Sequence, residues 1–292
     1  MRIGIFAPLA SPLATAGYVR ALAQGAEQRD FHSLWLPEHV VLFDDYASRY
    51  PYSPDGRIPA GGENGLLDPL AALGFLAAAT HRIRIGSAVC LVPQRNPVYT
   101  AKEIATLDVL SGGRVDFGVG VGWLAEEFAA LGVPFERRGA RCREYLRLMQ
   151  ALWCDPVSQF RGEFYELAPC RQFPKPVQIP HPPIHFGGES DAALRRVAEL
   201  GQGWHPFHQE PSFVAERIAT LEKLLAARGR KRAEIEVTVC SYLRPISLDL
   251  VKRYRDAGAD QVTVMPLASQ IPGLEKALDA LASEIVQPAE AL

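Results

Sequence analysis

The sequence predicts one closed (β/α)8 TIM barrel as a single domain over residues 1–292, and three observations favour this fold. Eight short apolar runs alternate with eight stretches of helical periodicity. The runs are apolar on both faces, as expected of strands that helices cover on the outside and core layers cover on the inside. The length of 292 residues, 48% of them hydrophobic, suits the large core of such a barrel.

The predicted elements follow one another in a strict βα order. The first strand is RIGIF at residues 2–6, which turns at Pro8 into a loop, and the second is SLWL at residues 33–36. Further β-rich apolar runs predict strands over 83–92, 114–121, 183–188, 202–206, 234–243 and 261–266. Helical periodicity predicts helices over 15–29, 68–80, 97–110, 137–153, 191–200, 213–228, 248–257 and 272–284. Two longer connections interrupt this order, a loop over 39–67 and an insertion over 154–182.

The glycines of GVGVG, residues 118–122, decide between this barrel and a doubly wound dinucleotide-binding sheet. A dinucleotide fingerprint has the spacing G-x-G-x-x-G at the first strand-to-helix turn and an acidic residue about 20 positions later, at the end of the next strand. Here the glycines follow the fourth strand, and the residues at that later distance fall inside a helix. We therefore expect these glycines to bring a ligand close to the backbone at the mouth of the barrel, with tight barrel packing as the alternative for Gly118.

Composition excludes several classes of protein. Against 33 acidic residues stand 31 Lys and Arg, without a block of like charges, so we expect no nucleic acid and no membrane as partner. The five cysteines include no Cys-x-x-Cys pair and predict reduced thiols. The apolar N-terminus weakly resembles a signal peptide, but Pro8 and Pro12 interrupt it, and no run approaches the ~18 apolar residues of a membrane span. We expect a cytoplasmic protein.

Catalytic groups of barrel enzymes lie at the carboxyl ends of the strands, where this sequence has few polar residues. Glu38 and His39 follow the second strand. The stretch GGES, residues 187–190, begins a helix that carries Arg195 and Arg196, an arrangement typical of an anion site, although Ser190 as an ordinary helix cap is an equal alternative. The long loop 39–67 is of a length that usually serves as a lid or a binding loop.

The tyrosines of this loop, Tyr46, Tyr50 and Tyr52, either form the wall of an apolar substrate site or pack the loop onto the barrel. The seven histidines include no His-x-His on the first strand and only one close pair, so we expect no metal. Neither a Gly-x-Ser-x-Gly elbow nor an evident Schiff-base lysine occurs. A chain with so little chemistry of its own is expected to rely on an organic cofactor.

Several short motifs of the chain together carry a family resemblance. They are SLWLPEH (33–39), RIGSAV (84–89), NP (96–97), ATLD (105–108), LSGGR (110–114), FGVGVGW (117–123), the FY hairpin (164–165), KP (175–176), FGG (186–188) and GW (203–204). In this combination the chain resembles the bacterial luciferase-like superfamily, and within it the oxidoreductases that depend on the deazaflavin coenzyme F420. The motifs run through about two thirds of the chain in the family order, and their combination is specific although no single motif is.

The resemblance implies a flavin or deazaflavin ring bound at the mouth of the barrel, next to a cis peptide bond between Ala88 and Val89. It implies that His39 is the acid/base residue beside the reactive face of the ring. The cofactor-binding residues it implies are Glu38, Ser87, Ala88, Val89, Gly120, Val121, Gly187, Gly188, Glu189 and Ser190, and the residues that we expect around the substrate are Tyr46, Tyr50, Tyr52, Trp123 and Trp204. It also implies a homodimer; the apolar stretch 69–76 fits such an interface and fits packing on the barrel equally well.

The sequence departs from sugar-phosphate dehydrogenases of this family, which have a glutamate where this chain has Trp123. We therefore do not transfer their substrate, and Trp123 suggests an apolar or aromatic one. Glu126 and Glu127 follow one turn later, on a helical face that would leave them solvated as easily as buried. The predicted function is hydride transfer between coenzyme F420 and a small organic molecule. The alternatives are a monooxygenase dependent on flavin mononucleotide (FMN) and a flavin-binding protein without catalysis.

Overall fold

Eight parallel strands close into a barrel, as the sequence predicts. The computed structural model describes residues 1–59 and 65–292. The strands, numbered along the chain, are β1 (Arg2–Phe6), β2 (Ser33–Leu36), β3 (Arg84–Ser87), β4 (Val115–Val119), β5 (Ser158–Arg161), β6 (Glu166–Cys170), β7 (Ile184–Gly187), β8 (Gly203–His205), β9 (Glu236–Cys240) and β10 (Gln261–Val264). The barrel order is β1-β10-β9-β8-β7-β4-β3-β2, and β5 and β6 form a separate antiparallel hairpin.

Helices follow the barrel strands and cover the outside of the barrel. They are α1 (Ala16–Gln28), α2 (Pro69–Ala79), α3 (Pro97–Ser111), α4 (Ala125–Ala130), α5 (Arg138–Cys154), α6 (Asp191–Leu200), α7 (Pro211–Ala226), α8 (Leu248–Asp256), α9 (Ile271–Leu281) and α10 (Gln287–Glu290). Side-chain caps begin many of them: Asp68, Asn96 and Ser190 each accept a hydrogen bond from a backbone N–H of the first turn. No helix in the described part of the chain combines the length and apolarity that crossing a membrane requires.

Several predicted strands are longer than the observed ones. The run 83–92 forms a strand only at Arg84–Ser87, after which the chain crosses the mouth of the barrel. Cys90 continues the pairing loosely, because its N–H donates to the Gly118 carbonyl and its carbonyl accepts from Gly120. The apolar residues after Ser87, such as Leu91 and Val92, are therefore buried although they do not belong to a β-strand. That is why hydrophobicity alone overestimates the strand.

Two helical segments differ from the prediction. Helix α4, only six residues long, lies between β4 and α5 where no helix is predicted, because one and a half turns are too short to show a periodicity. The predicted C-terminal helix 272–284 instead changes into a π-helical turn at Ala282–Val286, which continues into α10. The insertion between α5 and β7 contains the β5–β6 hairpin, within the predicted range 154–182.

The core fills the barrel and the layer between barrel and helices. Its largest fully buried side chains include Trp35, Phe117, Trp153 and Trp204. At the amino end of the strands, Arg84 pairs with the buried Asp116. Burial alone would raise the pKa of Asp116, but hydrogen bonds from His185 and Arg84 outweigh burial and lower that pKa to about 2. The charged groups are thus neutralised at the closed end, and the carboxyl end remains for the site.

Candidate active site

One large cavity opens at the carboxyl ends of the barrel strands. Its volume is about 580 Å³, and most of its lining is apolar or aromatic. The loop after β2 supplies one wall, and the strand ends supply the floor. The predicted site residues that line it are Glu38, His39, Tyr50, Tyr52, Ala88, Val89, Gly120, Val121, Trp123, Gly187, Gly188, Glu189 and Ser190. Residues 60–64 of the predicted loop 39–67 lie outside the described residues.

Three predicted site residues do not line this cavity. Ser87 is buried, and its hydroxyl donates to the Gly118 carbonyl, so it joins β3 to β4. Trp204 is buried in the barrel and donates its indole N–H to the Gly188 carbonyl at 2.9 Å. Tyr46 packs edge-on behind Trp123, with 5.6 Å between ring centroids. Strand-end position pointed to these residues, but the side chains of Ser87 and Trp204 turn into the barrel wall.

The peptide bond between Ala88 and Val89 is cis, as the resemblance implies. Val89 then projects into the cavity between β4 and β7. Gly120 is needed beside it, because a Cβ at position 120 would collide with a methyl group of Val89. At Gly118 a Cβ would collide with the Ser87 carbonyl, so the packing interpretation is the right one for that glycine. The glycine-rich run thus makes room for neighbouring strands and for Val89 rather than forming a phosphate loop.

His39 is held between two partners. Its Nδ1 lies 3.3 Å from a carboxylate oxygen of Glu127, and its Nε2 lies 3.3 Å from the indole nitrogen of Trp123. Glu127, on α4, has no exposed surface and also accepts from the Val40 N–H at 2.6 Å and from the Gln94 side chain at 3.0 Å. The alternative that Glu127 is solvated is therefore wrong. The missed helix α4 is what places its carboxylate behind His39.

Glu126, the neighbour of Glu127, also contacts the loop after β2. Its carboxylate accepts the N–H of Ala47 at 2.6 Å and that of Ser48 at 3.2 Å. Tyr46 and Tyr50 from the same loop pack edge-on against Trp123. The loop is therefore fastened to α4 by hydrogen bonds and to Trp123 by aromatic packing, and it closes one side of the cavity.

Glu38 serves the structure of the site although it borders the cavity. Its carboxylate is buried, forms an ion pair with Arg95, and accepts the backbone N–H of Leu91. Arg95 also binds Asp68, the cap of α2, at 2.6 Å. These contacts join the end of β2 to the segment that follows the cis bond. Three hydrogen bonds from Arg95 and Leu91 thus hold the Glu38 carboxylate within the protein.

The GGES stretch separates into two roles. Ser190 caps α6 by accepting the N–H of Ala193. Glu189 accepts from the Phe207 N–H at 2.8 Å and from the Tyr52 hydroxyl at 3.2 Å, and burial raises its pKa despite these hydrogen bonds. A carboxylate that is paired in this way does not bind a phosphate through its side chain. Glu189 instead ties the loop after β2 to the end of β8.

Arg196, one turn inside α6, also lines the cavity. Among residues 1–59 and 65–292 it has no hydrogen bond or ion pair, and its Nε is fully buried. Burial lowers its pKa, and the nearby Arg143, Arg138 and Arg195 lower it further, against an opposing effect of Cys142. An unpaired cation among cations, beside the N-terminus of α6, is the arrangement expected of an anion site. The sequence predicts an anion site on this helix, which carries Arg195 and Arg196, and of these two arginines it is Arg196 that lines the cavity.

Aromatic residues at the end of β1 and just after β8 and β9 complete the cavity, and they are not among the site residues that the sequence predicts. Phe6, Phe207 and Tyr242 pack against one another with ring centroids 4.8 to 6.0 Å apart. His205 lies beside them on the floor, where burial first and then His185 lower its pKa to about 3, so it is neutral. Their signal in the sequence was their position at or just after strand ends. Apolar residues at such positions also fit an ordinary core, which is why they were not singled out.

Within the described ranges, no three His, Cys, Asp or Glu side chains are arranged to hold a metal ion. The site is an apolar chamber lined by two histidines, His39 with the buried carboxylate of Glu127 behind it and the neutral His205 on the floor, and by the unpaired Arg196 at the α6 end. It has room for a flat organic ring together with a small organic molecule.

Comparisons with known proteins agree with this fold. The sequence profile of luciferase-like monooxygenases matches residues 1–262. An uncharacterised protein of Mycobacterium tuberculosis is 35% identical over 243 residues, which are 83% of this chain and 84% of that protein. An FMNH2-dependent dimethylsulfone monooxygenase of Pseudomonas putida is 36% identical over 133 residues, covering 44% of this chain and 36% of that protein.

Among solved structures, the coenzyme F420-dependent tetrahydromethanopterin reductase of Methanopyrus kandleri superposes with a TM-score of 0.76. It covers 98% of this chain and 99% of its own at 18% identity, so the likeness concerns the fold alone. The profile match over most of the chain and the identity with the mycobacterial relative show the family as well as the fold. This chain belongs to the luciferase-like monooxygenase family.

Proposed function

We propose that this protein is an oxidoreductase that transfers hydride between the deazaflavin coenzyme F420 and a small, apolar organic substrate. The observation that carries the proposal is the combination of an apolar cavity with a single unpaired cation, Arg196, at its α6 end. Coenzyme F420 has the matching shape, a flat three-ring system and a side chain that carries a phosphate. His39 is the proposed acid/base residue.

The residues present fit such a cofactor in two respects. Val89, Gly120 and Gly187 offer a smooth apolar surface on which a ring can lie. Arg196 and the N-terminus of α6 offer charge and N–H donors to a phosphate. When bound, the deazaflavin ring accepts or delivers a hydride, which is chemistry that no side chain of this cavity supplies.

The chain's own residues have separate tasks in this proposal. Arg196 and α6 anchor the cofactor, and Val89 orients its ring. The loop after β2, fastened through Tyr52 and Glu126, keeps water from the reaction. His39 takes up the proton of a substrate hydroxyl at Nε2 when the substrate is oxidised, and returns it in the reverse direction. Phe6, Phe207 and Tyr242 favour a substrate with an apolar body.

The alternative is an FMN-dependent monooxygenase, which the likeness to the dimethylsulfone monooxygenase supports. FMN has the same ring shape and also carries a phosphate, so Arg196 and the apolar floor suit both. The two functions differ in chemistry, since reduced flavin reacts with dioxygen whereas reduced deazaflavin reacts with it poorly and delivers hydride instead. A third function, flavin binding without catalysis, leaves the His39–Glu127 pair without a task.

The experiment that tests the proposal is a pair of titrations of the purified protein, one with coenzyme F420 and one with FMN, each followed by quenching of tryptophan fluorescence. Trp123 lines the cavity and is expected to report occupancy. Tighter binding of coenzyme F420 supports hydride transfer, and tighter binding of FMN supports the monooxygenase. Binding of neither would contradict both assignments.

A matched pair of variants tests the anchor. Arg196→Gln removes the unpaired cation of the cavity, whereas Arg195→Gln removes its exposed neighbour on the same helix. We expect Arg196→Gln to weaken binding of the phosphate-bearing cofactor by roughly 10-fold to 100-fold, because a charge-assisted hydrogen bond contributes about 1.5 to 3 kcal/mol. Binding of the same ring without its phosphate, such as riboflavin in place of FMN, should change little. Equal losses in both variants would contradict the anchor.

A further inference from the structure

The hydrogen bonds of His39 define which of its nitrogens carries a proton. Trp123 is the partner of Nε2, and an indole nitrogen only donates hydrogen bonds. Nε2 must therefore be an unprotonated acceptor in this arrangement, and the proton of a neutral imidazole must sit on Nδ1. There it points at Glu127, whose carboxylate only accepts while it is ionised. Both contacts require the same tautomer.

Glu127 is suited to this task by its surroundings. Burial of the carboxyl group raises its pKa, but hydrogen bonds from His39, Gln94 and the Val40 N–H outweigh burial and leave the pKa below its ordinary value. Glu127 is therefore ionised at neutral pH. It does not line the cavity, whereas His39 and Trp123 do. Nδ1 consequently faces the protein wall, and Nε2 faces the side from which a ligand approaches.

We propose that Glu127 is a positioning residue that, together with the indole N–H of Trp123, fixes His39 as the Nδ1–H tautomer and makes Nε2 the proton acceptor of the cavity. This inference rests on the proposed role of His39 for its catalytic meaning. When Nε2 takes a proton from a hydroxyl, the O–H bond breaks, the oxygen keeps the electron pair, and Glu127 stabilises the imidazolium that forms. Trp123 opposes protonation, because its N–H occupies the one lone pair of Nε2 and has to turn aside before that nitrogen can take up the proton of a hydroxyl.

The hydrogen bonds of the His39 ring are made by Glu127 and Trp123, and the other groups around the ring have different partners. Glu38, the preceding carboxylate, is turned to Arg95 and to the Leu91 N–H. Gln94 from the turn after β3 is uncharged and binds Glu127 rather than His39. Tyr50 packs against Trp123 from the loop side and fixes the direction of the indole. Of the described residues, Glu127 is the one whose carboxylate lies within 4.0 Å of a ring nitrogen of His39.

The test is a long-range 1H–15N NMR correlation of the 15N-histidine-labelled protein without added cofactor, in which His39→Asn identifies the His39 signals among those of seven histidines. We expect Nδ1 of His39 to show the shift of a protonated nitrogen and Nε2 that of an unprotonated one. Because the measurement needs neither cofactor nor substrate, its outcome is independent of the cofactor assignment.

Two variants test the two contacts of His39 separately. Glu127→Gln replaces the carboxylate beside Nδ1 by an amide that can donate as well as accept, and we expect the tautomer to become mixed. Trp123→Phe removes the indole N–H beside Nε2, and we expect the Nδ1–H tautomer to remain because Glu127 still accepts that proton.

Glu126→Gln is the matched control, since Glu126 binds the same loop but does not contact His39, and it should leave the tautomer unchanged. An Nε2–H tautomer in the unmodified protein would overturn the proposal. So would a Glu127→Gln protein that folds and keeps the pure Nδ1–H tautomer.

Discussion

At the scale of single residues, Glu38 shows that a carboxylate can border the cavity and still have a purely structural role. Its side chain is 1% exposed and is bound by Arg95, whereas Glu103, which approaches the same arginine at 3.7 Å, is 44% exposed. Removal of a buried partner leaves an uncompensated charge, but removal of an exposed one exchanges it for water.

We predict that Glu38→Gln lowers the free energy of unfolding by about 2 to 3 kcal/mol, whereas Glu103→Gln lowers it by less than about 1 kcal/mol. Urea denaturation of the two variants and the parent protein measures both values. The reason is that Arg95 keeps Asp68 as a partner in either variant but loses its buried carboxylate only in the first. Equal effects would show that Glu38 does not carry the junction between β2 and the segment after β3.

A second residue-scale prediction concerns the contact between Gly120 and Val89. Gly120→Ala places a methyl group where a methyl of Val89 lies, and we expect a loss of stability of about 1 to 3 kcal/mol, as for other overpacked cores. Val89→Ala in the same chain should restore much of that loss, because it removes the colliding group. Thermal unfolding of both single variants and the double variant measures the coupling. Additive effects would mean that the two side chains do not share this space.

The position of most site residues could be predicted from the sequence, but the direction of their side chains could not. Thirteen of the sixteen predicted positions line the cavity, because strand ends and motif order locate the mouth of a barrel. The direction of a side chain depends instead on its partners in space. Trp204 turns inward because the Gly188 carbonyl accepts its N–H. Glu127 turns towards His39 because helix α4 places it on the side that faces the loop after β2. Neither partner is near in the sequence.

At the scale of elements, Asp108 on α3 explains why the insertion lies where it does. Its carboxylate has no exposed surface and accepts from the backbone N–H groups of Val177 and Gln178 and from the Gln178 side chain at 2.7 to 2.9 Å. The ATLD motif that contributed to the resemblance is thus a fastening between a barrel helix and the insertion. The length of the insertion was predictable, but this attachment was not, because it spans about seventy residues.

We predict that Asp108→Ala releases the segment 171–180 from α3. Three hydrogen bonds to one buried carboxylate are lost, so we expect amide hydrogens of Val177 and Gln178 to exchange faster and stability to fall by about 2 to 3 kcal/mol. Hydrogen-exchange mass spectrometry of the segment measures the first effect. Glu144→Ala is the comparison, because Glu144 accepts from the N–H groups of 163–165 in the hairpin instead. Exchange limited to the hairpin in both variants would contradict the prediction.

At the scale of the whole molecule, the order of elements was predictable because the barrel strands are buried on both faces and several helices begin at a side-chain cap. The two ends of the barrel also differ in how their charged side chains are paired. Asp116 and Arg84 neutralise each other at the closed end, whereas Arg196 is left unpaired at the open end. The periodicity of strands and helices does not indicate which outer face of the barrel contacts a second copy of the chain.

Exposed apolar side chains gather on one side of the barrel. Tyr99 and Leu110 belong to α3, and Phe173, Val177 and Ile179 belong to the segment of the insertion that runs along this helix. Such a group is more than the scattered exposure that is ordinary on a protein surface. By contrast, the predicted stretch 69–76 on α2 directs Ala72, Leu73 and Leu76 into the core, which leaves less of it for a partner.

We predict that the chain forms a homodimer through this face of α3 and the insertion, with a mass in solution of twice the 32.0 kDa of one chain. The double variant Leu110→Glu/Ile179→Glu should be a monomer, because it places two charges in an apolar interface without partners. Leu267→Glu is the control, since Leu267 is equally exposed but follows β10 on another side of the barrel. Size-exclusion chromatography with light scattering measures the masses. A single-chain mass for the parent protein would contradict the dimer. A double variant that remains dimeric would instead move the interface away from this face, with the outer residues of α2 as the next to substitute.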